Sequence, residues 1–568
     1  MKFSQMPYQR PDLAALLDEY AALAEQAAGA DAERLAEIYL RHNRLAAGYE
    51  TAASLVMIRH TCDTTDSFYD AENDWFDQVS PQVSDAVLEL YRGILQNPHK
   101  EALAARFGQI LLDKMEVNVK SATPEILQLR QEENALTTAY EKLYASAKIP
   151  FDGKVLNVSQ LGPYKESPDA AVRRAAYEAE AGFFDENRAQ LDELYDKLVK
   201  NRTEQAKKLG YENFIPLGYI RMERLGYGQR EVEQYRAQVA ADVTPLAAQV
   251  MQRRMARLGI EKPTFCDLNM QFVGGNPTPM GQPEDILHAG REMYHHLSPE
   301  TADFIDRMMD DGLFDVVSRP GKAPGGYCTT IPDHRAPFIF SNFNGTSGDV
   351  DVLTHEAGHA FAAYMAYKEN LPGELQNPGL ESCEIHSMSM EFLTSDYHTA
   401  FFGPDTGKYA LAHAEDALLF LPYGCMVDEF QHIVYANPDL TPDERDAAWK
   451  KLEEKYRPWV DFDGLPFYGR GAGWQRQTHI YENPFYYIDY CLAQTVALQF
   501  FAAWLADKKD AWTRYLALVR QGGRRTYAGL VESAGFAVPF EPGSLKGMVE
   551  TVEQWTAAHP CNRPPEQN

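Results

Sequence analysis

His355 and His359 stand four residues apart, with Glu356 directly after the first, in the run Leu353-Thr354-His355-Glu356-Ala357-Gly358-His359. Four residues are slightly more than one helical turn, so both imidazoles leave one face and can bind the same ion, Zn2+. Glu356 is displaced sideways from that pair. It can reach a zinc-bound water as general base without ligating the metal itself. Gly358 weakens a helix, and its missing side chain lets another backbone pack closely.

A catalytic zinc takes three protein ligands and water, so a third donor is needed. A metzincin pattern would place Gly at position 362 and His at 365, where this chain has Ala362 and Met365. A thermolysin-like pattern would place Glu nineteen or twenty residues after the second His, where the chain has Pro378 and Gly379. The next acidic segment is Glu381-Ser382-Cys383-Glu384-Ile385-His386-Ser387-Met388-Ser389-Met390-Glu391-Phe392. Ile385, Met388 and Phe392 make an apolar stripe, so this reads as an inward-packed helix. Glu384 and Glu391 share a face, and two carboxylates there are costly to bury unless they meet a cation or metal. Glu384 is therefore the expected third ligand, and Glu391 the group that orients a ligand imidazole through its other nitrogen. Glu374 and Glu381 are expected to lie outside this set.

The surrounding pattern is mainly α. Residues 10–145 repeat apolar positions at helical spacing. Ile149–Leu156 reads as a hairpin turning at Asp152-Gly153. Ser167-Pro168-Asp169 reads as a helix start, with long helices through Ala170–Leu209 and Glu231–Leu258. Gly and Pro cluster in Lys262–Pro283 and Arg319–Gly348. Pro337–Phe343 reads as a strand before an Asn344-Gly345 turn, and Asp349–Glu369 as the helix that carries the two His. Two regions are expected, an N-terminal helical one over 1–150 and a catalytic one over 151–568.

At Asp349–His359, and at Glu384 with Glu391, the chain resembles the thimet oligopeptidase and oligoendopeptidase F family, specifically its bacterial oligoendopeptidase F or Pz-peptidase branch. The middle helices over Ser167–Tyr227 look similar too, and the likeness runs from about 165 to 545. It implies a mainly helical, two-lobed ellipsoid with a deep substrate channel and a small sheet beside the zincin helix. The implied activity is that of a zinc metalloendopeptidase cutting short unstructured oligopeptides. The resemblance also draws in His479, Tyr486 and Tyr490 as donors to the substrate carbonyl and the oxyanion, a sensible use of a neutral hydroxyl. The His479-to-tyrosine spacing differs from that of the thimet branch. Tyr486 and Tyr490 are four apart on one helical face, and Tyr487 is expected to point elsewhere.

Phe338–Phe343 is the expected edge for adding an extended peptide as an extra strand. The Gly-rich Tyr468–Trp474 segment is expected to be a lid or, through Arg470, a clamp for a terminal carboxylate. Such a clamp would make the enzyme a dipeptidyl carboxypeptidase. A peptide-binding protein without turnover is the reading from another class, and Glu356 speaks against it.

A net charge of −28 excludes nucleic acid and anionic membrane as expected partners. The seven cysteines form no C-x-x-C pair and read as reduced thiols of a cytoplasmic protein. No export signal is visible at the N-terminus, and no stretch reads as a membrane span. The run from Ala417 to Val427 is short and interrupted by Pro422.

Overall fold

Helix makes up 71% of the computed structural model, which describes residues 1–562 apart from Ala122, Pro320 and Pro324. Those two prolines of the Gly- and Pro-rich tract thus lie outside the described residues. Five short strands occur among the described residues. β1 (Ile149–Phe151) and β2 (Lys154–Leu156) form the expected antiparallel hairpin. β3 (Phe314–Val317), β4 (Tyr327–Ile331) and β5 (Ala336–Phe343) form a sheet in the order β3-β5-β4. The chain divides into two units, each assembled from three segments.

The first unit comprises Met1–Lys120, Thr278–Pro404 and Ala503–Phe536. It opens with helices Leu13–Gly29, Ala32–Cys62 and Ser67–Gln96. Asp12, Asp31 and Asp66 stand just before them, and each carboxylate accepts an amide N–H of the first turn. β5 is parallel to β3 and antiparallel to β4, and nearly all of its side chains are buried. Helix Gly348–Lys368 packs on β5 and β4, and helix Leu380–Leu393 packs on that helix.

The second unit comprises Ser121–Pro277, Asp405–Ala502 and Ala537–Asn568. Asp152 and Gly153 both have positive φ, at 49° and 70°, which suits the right-handed twist of a two-residue hairpin. The long segment after Pro168 is two helices, Ala170–Glu186 and Arg188–Lys208, interrupted at Asn187. Asp169 caps the first, two residues beyond Ser167, with its carboxylate accepting Ala171 N–H at 2.8 Å. A π turn, Val239–Val243, interrupts the next pair of helices. Buried charges are neutralised in place. Glu415 takes Arg254 at 3.0 Å and Arg257 at 2.9 Å.

Ala417–Val427 lies inside the 31-residue helix Thr406–Ala436, which continues through Pro422. Against the expectation that no stretch reads as a membrane span, Tyr487–Ala506 is long and apolar enough to cross a membrane by length and composition. Its residues from Ile488 to Phe501 are largely buried, as in a core helix. The seven cysteines form no disulfide and are buried or partly buried.

Candidate active site

The His355 helix owes its start to a local bond set. Asp349 folds back to accept the N–H groups of Asn344 at 2.9 Å and Gly345 at 2.8 Å, closing the turn that leads from β5 into the helix. On its other side the helix meets the Glu384 helix at Gly358. A Cβ there would lie 2.6 Å from Ser387 Cα and 2.7 Å from His386 O, so only glycine permits this approach. The Tyr515 hydroxyl donates to the same His386 carbonyl at 2.8 Å, fixing the second helix from behind.

Close packing brings Glu384 between the two imidazoles. Its Oε2 lies 3.3 Å from His355 Nε2 and 3.5 Å from His359 Nε2, and one atom of each residue falls within 4.8 Å of the others. Tetrahedral zinc with bonds near 2.0–2.2 Å separates its ligand atoms by about 3.3–3.5 Å, so this donor set fits the ion. The Ser387 hydroxyl donates to Glu384 Oε2 at 3.0 Å and steadies it. Burial alone would push the Glu384 carboxyl up. The two imidazoles outweigh that and hold it far below the ordinary range. Burial likewise disfavours charge on His355, yet Glu384 and Glu391 together raise its pKa well above normal. The pocket is thus a place where positive charge is welcome.

Glu391 Oε1 pairs with His355 Nδ1 at 2.7 Å, which directs Nε2 toward Glu384. Glu356, one residue along, is partly exposed. Glu374 and Glu381 lie outside the donor group. Glu374 is nonetheless a structural anchor. It accepts from Tyr39 and Tyr91 hydroxyls at 2.6 and 2.8 Å and pairs with His42 at 2.6 Å.

His479, Tyr486 and Tyr490 lie together in the second unit. Ring centroids of Tyr486 and Tyr490 are 4.9 Å apart, and those of His479 lie 5.8 and 5.9 Å from them. Tyr487 differs from expectation. Its ring is 5.2 Å from His479 and joins the cluster instead of turning away. The physical reason is that the helix begins at Tyr487, so Tyr486 sits in the preceding turn and helical periodicity does not govern it. Burial also raises the Tyr487 phenol well above its ordinary pKa.

Gln477 was not singled out in the sequence. Its amide oxygen accepts from Tyr423 at 2.9 Å and its amide nitrogen donates to His479 Nδ1 at 3.0 Å. That relay leaves the His479 hydrogen on Nε2. No motif marks a glutamine two residues before a histidine, so only the fold reveals it.

Two further expectations are corrected. β5 is the central strand, hydrogen-bonded on both sides, and cannot add a peptide strand. The sheet's edge strands are β3 and β4. Ile339 N–H donates to Leu313 O on the β3 side, so Cys328, opposite it on β4, sits in a non-hydrogen-bonded pair. The main-chain groups of Cys328 and Thr330 therefore point away from β5. Arg470 is no carboxylate clamp, because it is engaged by Asp185 and, at 3.1 Å, by Asp446. The supposed lid is a short helix, Pro466–Arg470, followed by a 3-10 turn. Trp474 Nε1 donates to Asp446 at 2.9 Å and pins it.

Comparison with known proteins identifies the family. Residues 3–122 match the peptidase M3 N-terminal domain and residues 289–550 match peptidase family M3. An oligoendopeptidase F homolog from Borreliella burgdorferi is 26% identical over 227 residues, a stretch that is 38% of this chain and 37% of that relative. A solved structure of Pz peptidase A with an inhibitor is 45% identical, with a TM-score of 0.93 over 99% of this chain and 100% of the other. A Bacillus anthracis str. Ames structure, provisionally named oligoendopeptidase F, is 42% identical over 99% of each chain with a TM-score of 0.88. Similarity of that depth along the full length, joined to the His-His-Glu donor set, places the chain in peptidase family M3.

Proposed function

We propose that this chain is a zinc-dependent endopeptidase that hydrolyses short, unstructured oligopeptides. The observation that carries the reading is the spacing of Glu384 Oε2 from His355 Nε2 and His359 Nε2, at 3.3 and 3.5 Å. Those three residues would hold the ion. Zinc, when bound, supplies a Lewis acid for the scissile carbonyl and for the attacking water.

The chain's own groups do the rest. Glu356 takes the proton of the attacking water and returns it to the leaving amine. Glu391 holds the His355 ring in one tautomer and orientation. The hydroxyls of Tyr486 and Tyr490, with the Nε2–H of His479, donate to the carbonyl oxygen as it gains charge. The outward main-chain groups of Cys328 and Thr330 on β4 receive an extended peptide by strand addition, which reads backbone more than side chains. Seven thiols outside any disulfide favour a reducing, cytoplasmic setting.

Engagement of Arg470 by two aspartates removes the clamp that a dipeptidyl carboxypeptidase would need there. The deciding experiment is a cleavage map of one peptide in free-acid and amidated forms, with metal content and chelator sensitivity measured on the same preparation. Endopeptidase action predicts identical cuts in both forms and loss of activity with the metal. Cleavage confined to the free-acid form would favour the carboxypeptidase, and full activity in metal-free protein would refute the zinc reading.

A further inference from the structure

Phe485 has φ +71°, the left-handed region that a bulky side chain rarely adopts. Six described non-glycine residues have positive φ, and Phe485 is the one that is fully buried. Glycine would make this turn without strain. The chain instead places an aromatic residue here and holds it from three sides.

Its amide N–H donates to Gln431 Oε1 at 2.8 Å. Its carbonyl accepts from Arg224 Nη2. Its ring lies among Phe214, Tyr219, His432 and Tyr435, with centroids 4.8 to 6.1 Å away. The ring also presses on Gly218, where a Cβ would come within 2.5 Å of it. The same Arg224 nitrogen donates to Asp489 Oδ1 at 3.0 Å, and both of those side chains are fully buried. The guanidinium lies over the Tyr219 ring, 4.3 Å from its centroid.

Phe485 immediately precedes Tyr486, and Asp489 immediately precedes Tyr490. One immobilised guanidinium therefore ties the chain before the first tyrosine to the helix residue before the second. Strained backbone persists where its surroundings over-determine it, and such sites cluster where positioning matters. We propose that Arg224, Gln431 and Phe485 form a clamp that fixes Tyr486 and Tyr490 around His479. They are positioning residues, set one layer behind the hydroxyls. The inference rests on the donor role assigned to those tyrosines above.

A double-mutant cycle tests it on the full-length, metal-loaded protein with a quenched oligopeptide. Gln431→Met keeps much of the buried volume and removes the acceptor for Phe485 N–H. It should lower kcat about tenfold or more, with KM within about twofold, because small misplacement of catalytic groups is expensive in rate. Metal content should not change. Gln431→Glu, which restores an oxygen acceptor, should recover most of the rate.

In a Tyr486→Phe, Tyr490→Phe background the same Gln431→Met change should cost less than about twofold, since the hydroxyls it positions are gone. A purely structural role would cost the same in both backgrounds. Arg224→Lys keeps a cation opposite Asp489 while loosening the bond to Phe485. It runs through the same cycle should Gln431→Met not fold. Equal losses in both backgrounds, or no loss in the wild-type background, would overturn the clamp while leaving the donor role standing. Unchanged kcat in the tyrosine variants alone would remove the donor role and the clamp with it.

Discussion

His355 Nδ1 and Glu391 Oε1 are 2.7 Å apart, so the first imidazole is held by a carboxylate on the side away from Glu384. A ligand imidazole whose other nitrogen is paired binds metal in one orientation and with greater basicity. Glu391→Ala should therefore weaken zinc affinity about 10–100-fold with secondary structure unchanged. Competition against a chelator of known affinity measures it. Wild-type affinity in that variant would show the contact to be incidental.

Glu356→Gln tests the proposed general base. The amide is nearly isosteric but cannot accept the water's proton, so kcat should fall by about 10²–10⁴ while zinc stays bound. Metal content and turnover on one sample give both numbers. Near-normal turnover would assign the base elsewhere.

Gly358→Ala should separate the helix that carries His355 and His359 from the one that carries Glu384. The added Cβ would collide with backbone at Ser387 and His386, which cannot swing aside as a side-chain tip could. Overpacking of this kind costs about 1–3 kcal/mol. It should also move Glu384 away from the two His, so thermal stability and metal affinity should fall together. A stable variant with normal metal binding would contradict the helix contact.

Acid should expose the role of Glu374. Burial pushes its carboxyl up, but pairing with His42 and the Tyr39 hydroxyl outweighs this and brings it down to about 2. A depressed folded-state pKa means stability that is complete above the ordinary value near 4.5 and is lost as pH falls toward 2. The contribution is about 3 kcal/mol in full. Denaturant unfolding of Glu374→Gln should show a shallower loss of stability between those pH values than wild type. Identical pH slopes would mean that the carboxylate is not held as described.

How far the sequence alone reaches depends on whether a feature is local. The spacing of His355, His359, Glu384 and Glu391 is helical and intrahelical, so one-dimensional periodicity could place each residue on the right face. The strand over 337–343 was legible for the same reason, since it is a short apolar run next to a turn. Its central position in the sheet was not, because pairing joins it to Phe314–Val317 and Tyr327–Ile331 across loops that no local pattern encodes. Arg470 looked available for a ligand because its partners Asp185 and Asp446 are distant in sequence. Tyr487 was misplaced by one helix boundary. Gln477, Gln431 and Arg224 are polar residues whose meaning comes wholly from what they touch.

The proposed oxyanion donors give the sharpest kinetic signature. The carbonyl oxygen gains nearly a full charge in the tetrahedral state, so a neutral donor strengthens its bond there more than in the bound substrate. Its loss should then appear in kcat more than in KM. Tyr490→Phe should lower kcat by about 10²–10³, the usual effect of removing one such donor, with zinc retained. Tyr486→Phe should show a similar or smaller drop, since the two rings lie 4.9 Å apart in one cluster. Tyr487→Phe should change kcat little, although its ring touches His479. That ring is packed against Tyr423 and Phe420, each 5.8 Å away, which marks it as part of the wall behind the cluster. Gln477→Leu tests the remaining donor, because it frees His479 Nδ1 to take the hydrogen and so withdraws Nε2–H from the carbonyl. Steady-state kinetics on the four variants ranks the groups. If the three tyrosine variants kept wild-type kcat and Gln477→Leu alone lost it, His479 would be the sole donor and the tyrosines its packing.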